Sequence, residues 1–226
     1  MQSASVVTIV ERLDAAGVRY LIVGGLAVVA HGHVRFTADV DIVLEMSAEN
    51  LERALRTFDG LGYRPRAPVT LLAFADAGQR DEWTRDKGLT VFSLWSSAHT
   101  ATEVDLFVAS PFDDFDEAYR RAARREIAAG VWAPFVSLDD LIALKRKAGR
   151  PQDLLDVEKL VAIRDGEGVE IDRLRETEGE WEVGWDGHAL AQERRLAVLG
   201  LEQKMLWLEE AQRLVERLKA TAPAPS

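Results

Sequence analysis

The sequence contains no cysteine, which excludes disulfides, thiolate metal sites and thiol nucleophiles. It also lacks a long apolar run: the stretch at 20–30 is interrupted by Gly24 and Gly25 and is too short to span a bilayer. Residues 1–7 lack the positive charge and apolar stretch of a secretory signal. We therefore expect a soluble, cytoplasmic protein that makes no membrane contact.

Positive charge is scarce, because 28 lysines and arginines face 38 aspartates and glutamates, for a formal net charge of -10. A protein that coats nucleic acid non-specifically needs a basic surface, since phosphate contacts dominate its affinity. The composition argues against such a protein. It still allows a local basic site in the run Lys145-Arg146-Lys147 with Arg150, for which the alternative is a solvated helix face.

The 226 residues are 47% hydrophobic and 29% charged, enough for one domain and an appendage. Hydrophobic periods and turn residues predict an α+β fold, a mixed sheet flanked by helices. Helices are predicted at 3–16, 26–33, 47–61, 112–123, 137–149 and 151–164. Strands are predicted at 19–23, 39–44, 69–74, 89–95, 103–108, 127–129 and 131–135, the last two as a hairpin around Gly130. The polar stretch at 76–87 has room for a helical turn.

The chain divides by composition into a domain at 1–165, a linker at 166–187, a long amphipathic helix at 188–220 and a disordered tail at 221–226. Apolar residues recur along the predicted helix at steps of three and four. They are Val198, Leu201, Met205, Leu208, Ala211, Val215 and Leu218. This stripe must be buried, either on its own domain or in a homodimer or partner contact.

Two acids in the strand at 39–44 have the same parity. Asp39 and Asp41 therefore project from one face of that strand. A third acid, Asp105, lies between apolar residues in a later strand, so neighbouring strands can bring three carboxylates to one place. Such a cluster repels itself unless a cation holds it, and oxygen ligands in this number suit Mg²⁺. Two such ions would suit displacement at phosphorus.

The pair Gly24-Gly25 lies between a predicted strand and a short helix. A glycine turn at a helix start leaves backbone N–H groups free and directs the positive helix end at phosphate oxygens. The alternative is a plain strand-to-helix turn. Next to the acidic strand, the pair is a candidate phosphate-binding turn. Arg35 and Thr37 flank that strand. They are predicted to contact phosphate or ribose, and the alternative is an arginine that pairs with Asp39, or a turn residue.

Three segments together resemble the DNA polymerase beta-like nucleotidyltransferase superfamily, and most of all the AbiEii-type nucleotidyltransferases of type IV toxin-antitoxin systems. They are Val-Gly-Gly-Leu-Ala-Val-Val-Ala-His-Gly at 23–32, Arg-Phe-Thr-Ala-Asp-Val-Asp-Ile at 35–42, and the lysine-containing motif at 141–156. The resemblance covers about 21–160. It implies a mixed-sheet transferase core.

The resemblance also implies roles for single residues. Gly24-Gly25 would meet the triphosphate, Asp39 and Asp41 would hold the metal ions, and Asp105 would activate the acceptor. Lys145 matches a lysine expected near the phosphates, and Asp153 matches an acid of the same motif. Many members have Gly-Ser where this chain has Gly-Gly, so a hydroxyl contact to phosphate is missing here.

The sequence thus predicts transfer of a nucleoside monophosphate from an NTP to an acceptor hydroxyl, with Mg²⁺ as cofactor. The acceptor is an RNA end such as that of tRNA, a protein or a small molecule, and a role in a toxin-antitoxin system is one version of this prediction. The alternative is a non-enzymatic binding or antitoxin module that keeps the fold and docks a partner through the helix at 189–220.

Overall fold

The computed structural model describes residues 1–166, 196 and 198–221. Its strands are β1 (Tyr20–Ile22), β2 (Asp39–Leu44), β3 (Tyr63–Pro65), β4 (Val91–Ser96), β5 (Glu103–Phe107), β6 (Ala123–Ala128) and β7 (Val131–Phe135). Its α-helices are α1 (Ser3–Ala15), α2 (Gly24–Ala30), α3 (Ala48–Gly60), α4 (Ala77–Lys87), α5 (Phe115–Arg120), α6 (Leu138–Ala148), α7 (Pro151–Arg164) and α8 (Leu201–Thr221). A 3₁₀ helix spans Leu71–Ala75.

The seven strands form one mixed sheet in the order β3-β4-β5-β2-β1-β7-β6, which confirms the predicted fold class. The central strand β2 runs antiparallel to β1 and parallel to β5. Its register with β5 pairs Asp41 with Asp105, and the antiparallel register of β4 with β5 pairs Ser93 with Asp105. Residues far apart in sequence therefore meet in one row across three strands.

Strand β2 has one buried and one open face near its start. Val40 and Ile42 are buried, while Asp39 and Asp41, two residues apart, keep partial exposure on the other face. This alternation is the usual result of the two-residue period of a strand. Burial of an apolar side chain of this size contributes about 1.5–3 kcal/mol, so the apolar residues hold β2 in a register that leaves its acids accessible.

The segment at 69–76 differs from the prediction of a strand at 69–74. It forms the 3₁₀ helix instead, which buries Leu71 and Phe74 on one side. The three-residue step from Leu71 to Phe74 matches the three-residue turn of a 3₁₀ helix. The apolar run at 69–74 by itself fits a short strand equally well. The polar stretch after it forms the full helix α4, because Asp76 accepts a hydrogen bond from the Gln79 N–H at its start and Gly88, at φ 62°, ends it.

Strand β3 was missed, since it has three residues, includes Pro65 and lies at the sheet edge. The hairpin of β6 and β7 around Gly130 is confirmed, but β6 begins at Ala123, so the helix predicted at 112–123 is reduced to α5. Pairing with β7 overrides the helical pattern of the arginine-rich residues there.

A turn at 198–200, ending in Gly200, interrupts the helix predicted at 188–220, and α8 begins at Leu201. Leu201, Met205 and Leu208 are buried, and α8 packs on α1, α2 and β6. The Ser3 N–H donates to Glu209 Oε2 at 3.0 Å. The helix thus docks on its own domain.

The predicted linker at 166–187, apart from Gly166, lies outside the described residues, as do 188–195 and the tail at 222–226. Among the described helices, none combines the length and the hydropathy that crossing a membrane requires.

Candidate active site

Three carboxylates converge on the open face of the sheet. Asp39 and Asp41 extend from β2 and Asp105 from β5, and one oxygen from each lies within 4.8 Å of the others. The predicted convergence is confirmed. It follows from the parallel register of β2 and β5, which sets Asp41 directly opposite Asp105.

Two carboxylates of this cluster, Asp41 and Asp105, have a raised pKa. Burial raises the pKa of Asp41 to about 6, and the neighbouring charges of Asp39 and Asp105 add to the effect. Burial also raises the pKa of Asp105, against a hydrogen bond from Ser93 that lowers it. Like charges in a partly buried site disfavour ionisation of each other, and a bound cation would relieve this repulsion. The oxygen donors and their unneutralised charge therefore fit Mg²⁺.

The glycine turn and the acidic strand form one structural unit. Gly24 has a positive φ of 63°, and a Cβ atom at this position would lie 1.8 Å from Asp41 Oδ2. The N–H of Gly25 donates to the same Oδ2 at 3.4 Å. Only glycine at 24 combines this backbone conformation with the close approach of the Asp41 carboxylate.

Gly25 faces the segment that leads into β2. A Cβ atom at position 25 would lie 2.4 Å from Thr37 Oγ1 and 3.1 Å from Arg35 Nη2. Thr37 Oγ1 in turn donates to Asp39 Oδ1 at 3.1 Å. A serine at 25 is therefore excluded in this arrangement, and the hydroxyl of Thr37 occupies the space that a serine side chain would take. The departure from Gly-Ser has a steric cause.

Lys145 lies inside a network of ion pairs. Its Nζ is 2.8 Å from Asp153 Oδ1 and 2.8 Å from Asp156 Oδ2, and its exposure is 4%. Asp156 also meets Arg35 Nε at 2.9 Å, and Asp153 accepts a hydrogen bond from Arg150 Nε at 2.6 Å. The lysine that the motif was expected to place near the phosphates is thus buried between the two aspartates of α7.

This network still reaches the acid trio electrostatically. The charge of Lys145 lowers the pKa of Asp41, although burial and the neighbouring acids outweigh it. The hydrogen bond to Asp153 raises the pKa of Arg150, burial opposes this, and the charges of Asp153, Asp41 and Asp39 raise it further. Arg150 keeps most of its side chain exposed and is thus the accessible cation of the group.

Sequence reasoning missed two residues of the site. Asp156, fully buried, ties Arg35 to Lys145, so the alternative in which Arg35 pairs with Asp39 is wrong. Its signal was the three-residue step from Asp153, which puts both acids on one face of α7. Ser93 hydrogen-bonds Asp105, and no local pattern marks it because β4 and β5 pair only in the tertiary structure.

A separate open cleft of about 280 Å³ lies between the segment at 111–121 and α6. Its lining includes Phe112, Asp113, Asp114, Arg121 and Lys147. Lys147 of the predicted basic run lines this cleft, whereas the acid trio, the glycine turn and Lys145 do not.

Comparisons with known proteins give structural likenesses only. No family model matches the chain, and no curated protein matches it. The crystal structure of the lincosamide antibiotic adenylyltransferase LnuA with lincomycin bound has a TM-score of 0.46 and 16% identity, and the match covers 69% of this chain and 93% of LnuA.

Two structures of ANT(2'')-Ia are also similar. The solution structure of this antibiotic-resistance factor has a TM-score of 0.40 and 18% identity, over 97% of this chain and 96% of that chain. Its crystal structure in complex with adenylyl-2''-tobramycin has a TM-score of 0.39 and 16% identity, over 92% of this chain and 99% of that chain. The functional assignment rests on the geometry of the site.

Proposed function

We propose that this protein is a metal-dependent nucleotidyltransferase, which moves a nucleoside monophosphate from an NTP to an acceptor hydroxyl and releases pyrophosphate. The observation that carries the proposal is the convergence of Asp39, Asp41 and Asp105 against the turn at Gly24-Gly25. Neither half suffices alone, because acidic clusters and glycine turns are common separately. Together they supply metal ligands and phosphate donors within one site.

Asp39, Asp41 and Asp105 would hold the metal, and two Mg²⁺ ions fit their charge. When bound, Mg²⁺ would neutralise phosphate charge and lower the pKa of the acceptor hydroxyl. The raised pKa of Asp41 supports this assignment, since an un-neutralised carboxylate cluster is electrostatically costly to keep without a ligand.

The triphosphate is assigned to the side of the turn. The Thr37 hydroxyl and Arg35 Nη2 lie together beside Gly25 and would supply two kinds of phosphate donor. The hydroxyl donates to Asp39, and it would turn to the phosphate when a cation holds that carboxylate. Asp156 fixes Arg35 through Nε. We assign to Thr37 the hydroxyl contact to phosphate that superfamily members with Gly-Ser at the turn would make through their serine.

In this proposal the lysine-containing motif at 141–156 positions Arg150. Asp153, with Lys145 buried beside it, orients Arg150 towards the phosphates, and Arg150 replaces Lys145 as the direct phosphate contact. A guanidinium suits this role because its fixed donors match phosphate oxygens.

In the proposed step the acceptor oxygen forms a bond to the α-phosphorus, and the bond from that phosphorus to the pyrophosphate oxygen breaks. The Asp105 carboxylate accepts the proton of the hydroxyl. Burial raises the pKa of Asp105, which makes it a better base than an ordinary surface aspartate. Ser93 orients it through their hydrogen bond.

The acceptor assigned here is a small molecule. The chain carries a formal net charge of -10, and Glu103 adds a fourth acid beside the trio, so a polyphosphate acceptor such as tRNA is disfavoured. The motif resemblance favours AbiEii-type enzymes and a toxin-antitoxin role, which we keep as the finer version of the proposal. The alternative is a binding module without turnover.

The test is pyrophosphate release from each of the four NTPs with Mg²⁺, with and without a small-molecule extract, total RNA or total protein from cells. We expect the wild type to release pyrophosphate and to label the extract, and Asp105→Asn to do neither. Asp86→Asn, which changes an exposed aspartate paired with Arg85, is the matched control and should behave as wild type.

Mg²⁺ should also raise the melting temperature of the wild type and not that of Asp41→Asn. A wild type that binds NTP but never releases pyrophosphate would support the binding module. Labelling confined to the RNA or protein sample would instead identify a macromolecular acceptor.

A further inference from the structure

Trp95 is a large aromatic residue exposed on an interior strand of the sheet. On β4, Phe92 and Leu94 are buried, whereas Val91, Ser93 and Trp95 alternate with them on the other face. The exposure of Trp95 is 45%. Burial of an indole stabilises a fold more than burial of most other side chains. An indole left exposed next to a polar site therefore indicates a binding surface.

The strand register sets Trp95 beside the acid trio. Ser93 pairs with Asp105 and Leu94 with Val104, so the next step of this antiparallel register sets Trp95 beside Glu103. Trp95 is therefore the diagonal neighbour of Asp105 on the same face. Diagonal neighbours in antiparallel strands are about 7–8 Å apart, which is within reach of an aromatic side chain.

Trp95 lies on the side of the acid trio from which the acceptor must approach. This assignment rests on the proposed nucleotidyl transfer. The glycine turn approaches Asp41 from the β1 side, and β4 lies on the opposite side of the β5–β2 pair. In phosphoryl transfer the attacking and leaving oxygens lie roughly in line on opposite sides of phosphorus. With pyrophosphate held at the turn, the attacking hydroxyl must come from the side of Asp105 and Trp95.

The charges on this side disfavour a phosphate-rich acceptor. Arg66 donates through Nε to Glu103 Oε2 at 2.9 Å and through Nη2 to the other carboxylate oxygen. Arg64 on β3 is paired with Asp59. Among the described residues of this face, Arg66 and Arg64 are thus each paired with a carboxylate, and the acid trio lies beside them.

We propose that Trp95 is the binding platform for the acceptor, a phosphate-free small molecule whose hydroxyl-bearing ring lies on the indole while its hydroxyl reaches Asp105. Neutral and cationic rings both fit, because an indole face attracts apolar ring surfaces and cations, and Glu103 lies beside it. An RNA end fits less well, because the two arginines described on this side of the sheet are already paired with carboxylates and are not available to its phosphates.

The experiment compares Trp95→Ala with Trp132→Ala. Trp132 has an exposure of 49% and lies on β7, away from the acid trio, so it is a control of the same residue type. Nucleotidyl transfer is followed with lincomycin, tobramycin and adenosine as phosphate-free ring acceptors, and with a short RNA ending in adenosine. The KM for acceptor and the KM for NTP are measured separately.

We expect Trp95→Ala to raise the KM for the ring acceptor at least about tenfold, without a comparable change in the KM for NTP, and Trp95→Phe to recover most of the loss. Trp132→Ala should change neither constant. Adenosine and the short RNA differ by the phosphates, so preference for adenosine also supports the proposal.

Three results would overturn it: an equal effect of both tryptophan variants, an increase confined to the KM for NTP, or a wild type that uses only the RNA or only water. If the wild type releases no pyrophosphate from any NTP, the proposed transferase function fails, whatever the tryptophan variants do.

Discussion

A single carboxylate, Asp41, connects the glycine turn to the acid trio. Its Oδ2 accepts the Gly25 N–H and would collide with any side chain at 24. Its pKa of about 6 exceeds the ordinary value of 3.8, so the folded protein without metal holds a proton there that the unfolded chain has released. The free energy of unfolding of the metal-free protein should therefore fall as pH rises from about 4 to about 6 and stay low above that range.

Asp41→Asn should abolish nucleotidyl transfer and raise the free energy of unfolding of the metal-free protein at pH 7.5 by about 1–3 kcal/mol. Asparagine keeps an oxygen that can accept the Gly25 N–H, but it adds no charge to the cluster. Urea unfolding in EDTA at pH 4.5 and pH 7.5 measures the effect, and the gain should shrink at the lower pH. A variant less stable than the wild type at pH 7.5 would contradict the account.

Gly25 and Thr37 compete for one volume. Gly25→Ser should destabilise the protein by about 1–3 kcal/mol and weaken NTP binding, because its Cβ would lie 2.4 Å from Thr37 Oγ1. Gly25→Ser combined with Thr37→Ala should recover part of both losses, since the serine then takes the role of the threonine hydroxyl while the Cβ of residue 37, at 2.9 Å, still crowds the new Cβ. Urea unfolding and NTP titration of the two single variants and the double variant give the coupling energy. If the losses of the two single variants simply add in the double variant, residues 25 and 37 do not compete for one volume, and this explanation is refuted.

At the scale of elements, buried ion pairs between Lys145 of α6 and two aspartates of α7 connect the two helices. Lys145 is therefore expected to contribute to stability. Without Lys145, Asp153 and Asp156 would remain buried with less positive charge around them. Removing one partner of a buried ion pair costs about 3–5 kcal/mol, mainly through the charge left behind. The motif lysine is therefore first a structural residue.

Lys145→Ala should lower the free energy of unfolding by about 3–5 kcal/mol and weaken NTP binding through displacement of Arg35 and Arg150. Lys147→Ala is the matched control, because this lysine belongs to the same helix and is exposed, and it should change stability by less than about 0.5 kcal/mol. Denaturant unfolding and NTP titration, both under conditions where each variant is folded, measure the two effects. Equal stability of the two variants would refute the buried-network account.

Local sequence signals found most elements where caps and periods are clear. Ser47 and Ser137 begin α3 and α6 as predicted, and each accepts a hydrogen bond from the N–H three residues later. The signals failed at Leu71–Ala75 and in the turn at 198–200, where a short apolar segment and a helical stripe fit more than one structure. Packing on the sheet decided these cases.

At the scale of the whole molecule, the docking of α8 shows that its apolar stripe does not require a second chain. Met205 is almost fully buried, and the N-terminal ammonium of Met1 donates to Gln212 Oε1 at 2.8 Å, so the two ends of the described chain meet. Met205→Asp should destabilise the protein by several kcal/mol, because a charge would enter an apolar contact.

Leu206→Asp is the matched control on the same helix, since Leu206 is 51% exposed. It should leave the melting temperature nearly unchanged. Thermal unfolding with sedimentation velocity checks both variants, and we expect the wild type to sediment as a monomer. A dimer that Leu206→Asp dissociates would show that the exposed side of α8 is an interface.

The sequence by itself determined which side chains share a face and where chain reversals occur. The two-residue step between Asp39 and Asp41 fixes their common side in any strand, and Gly24 marks a backbone conformation that other residues avoid. These properties are local, so they are legible without knowledge of the neighbours.

Only the tertiary structure decided which strand lies beside β2, which aspartates surround Lys145 and what covers α8. The parallel pairing that brings Asp105 to Asp41 joins strands separated by 60 or so residues, about the length of a small domain. Such pairing is selected by the packing of the entire core, and local periodicity carries no information on it. The three acids and the glycine turn were therefore readable from the sequence, whereas the roles of Ser93 and Asp156, the burial of Lys145 and the position of Trp95 beside the acids were not.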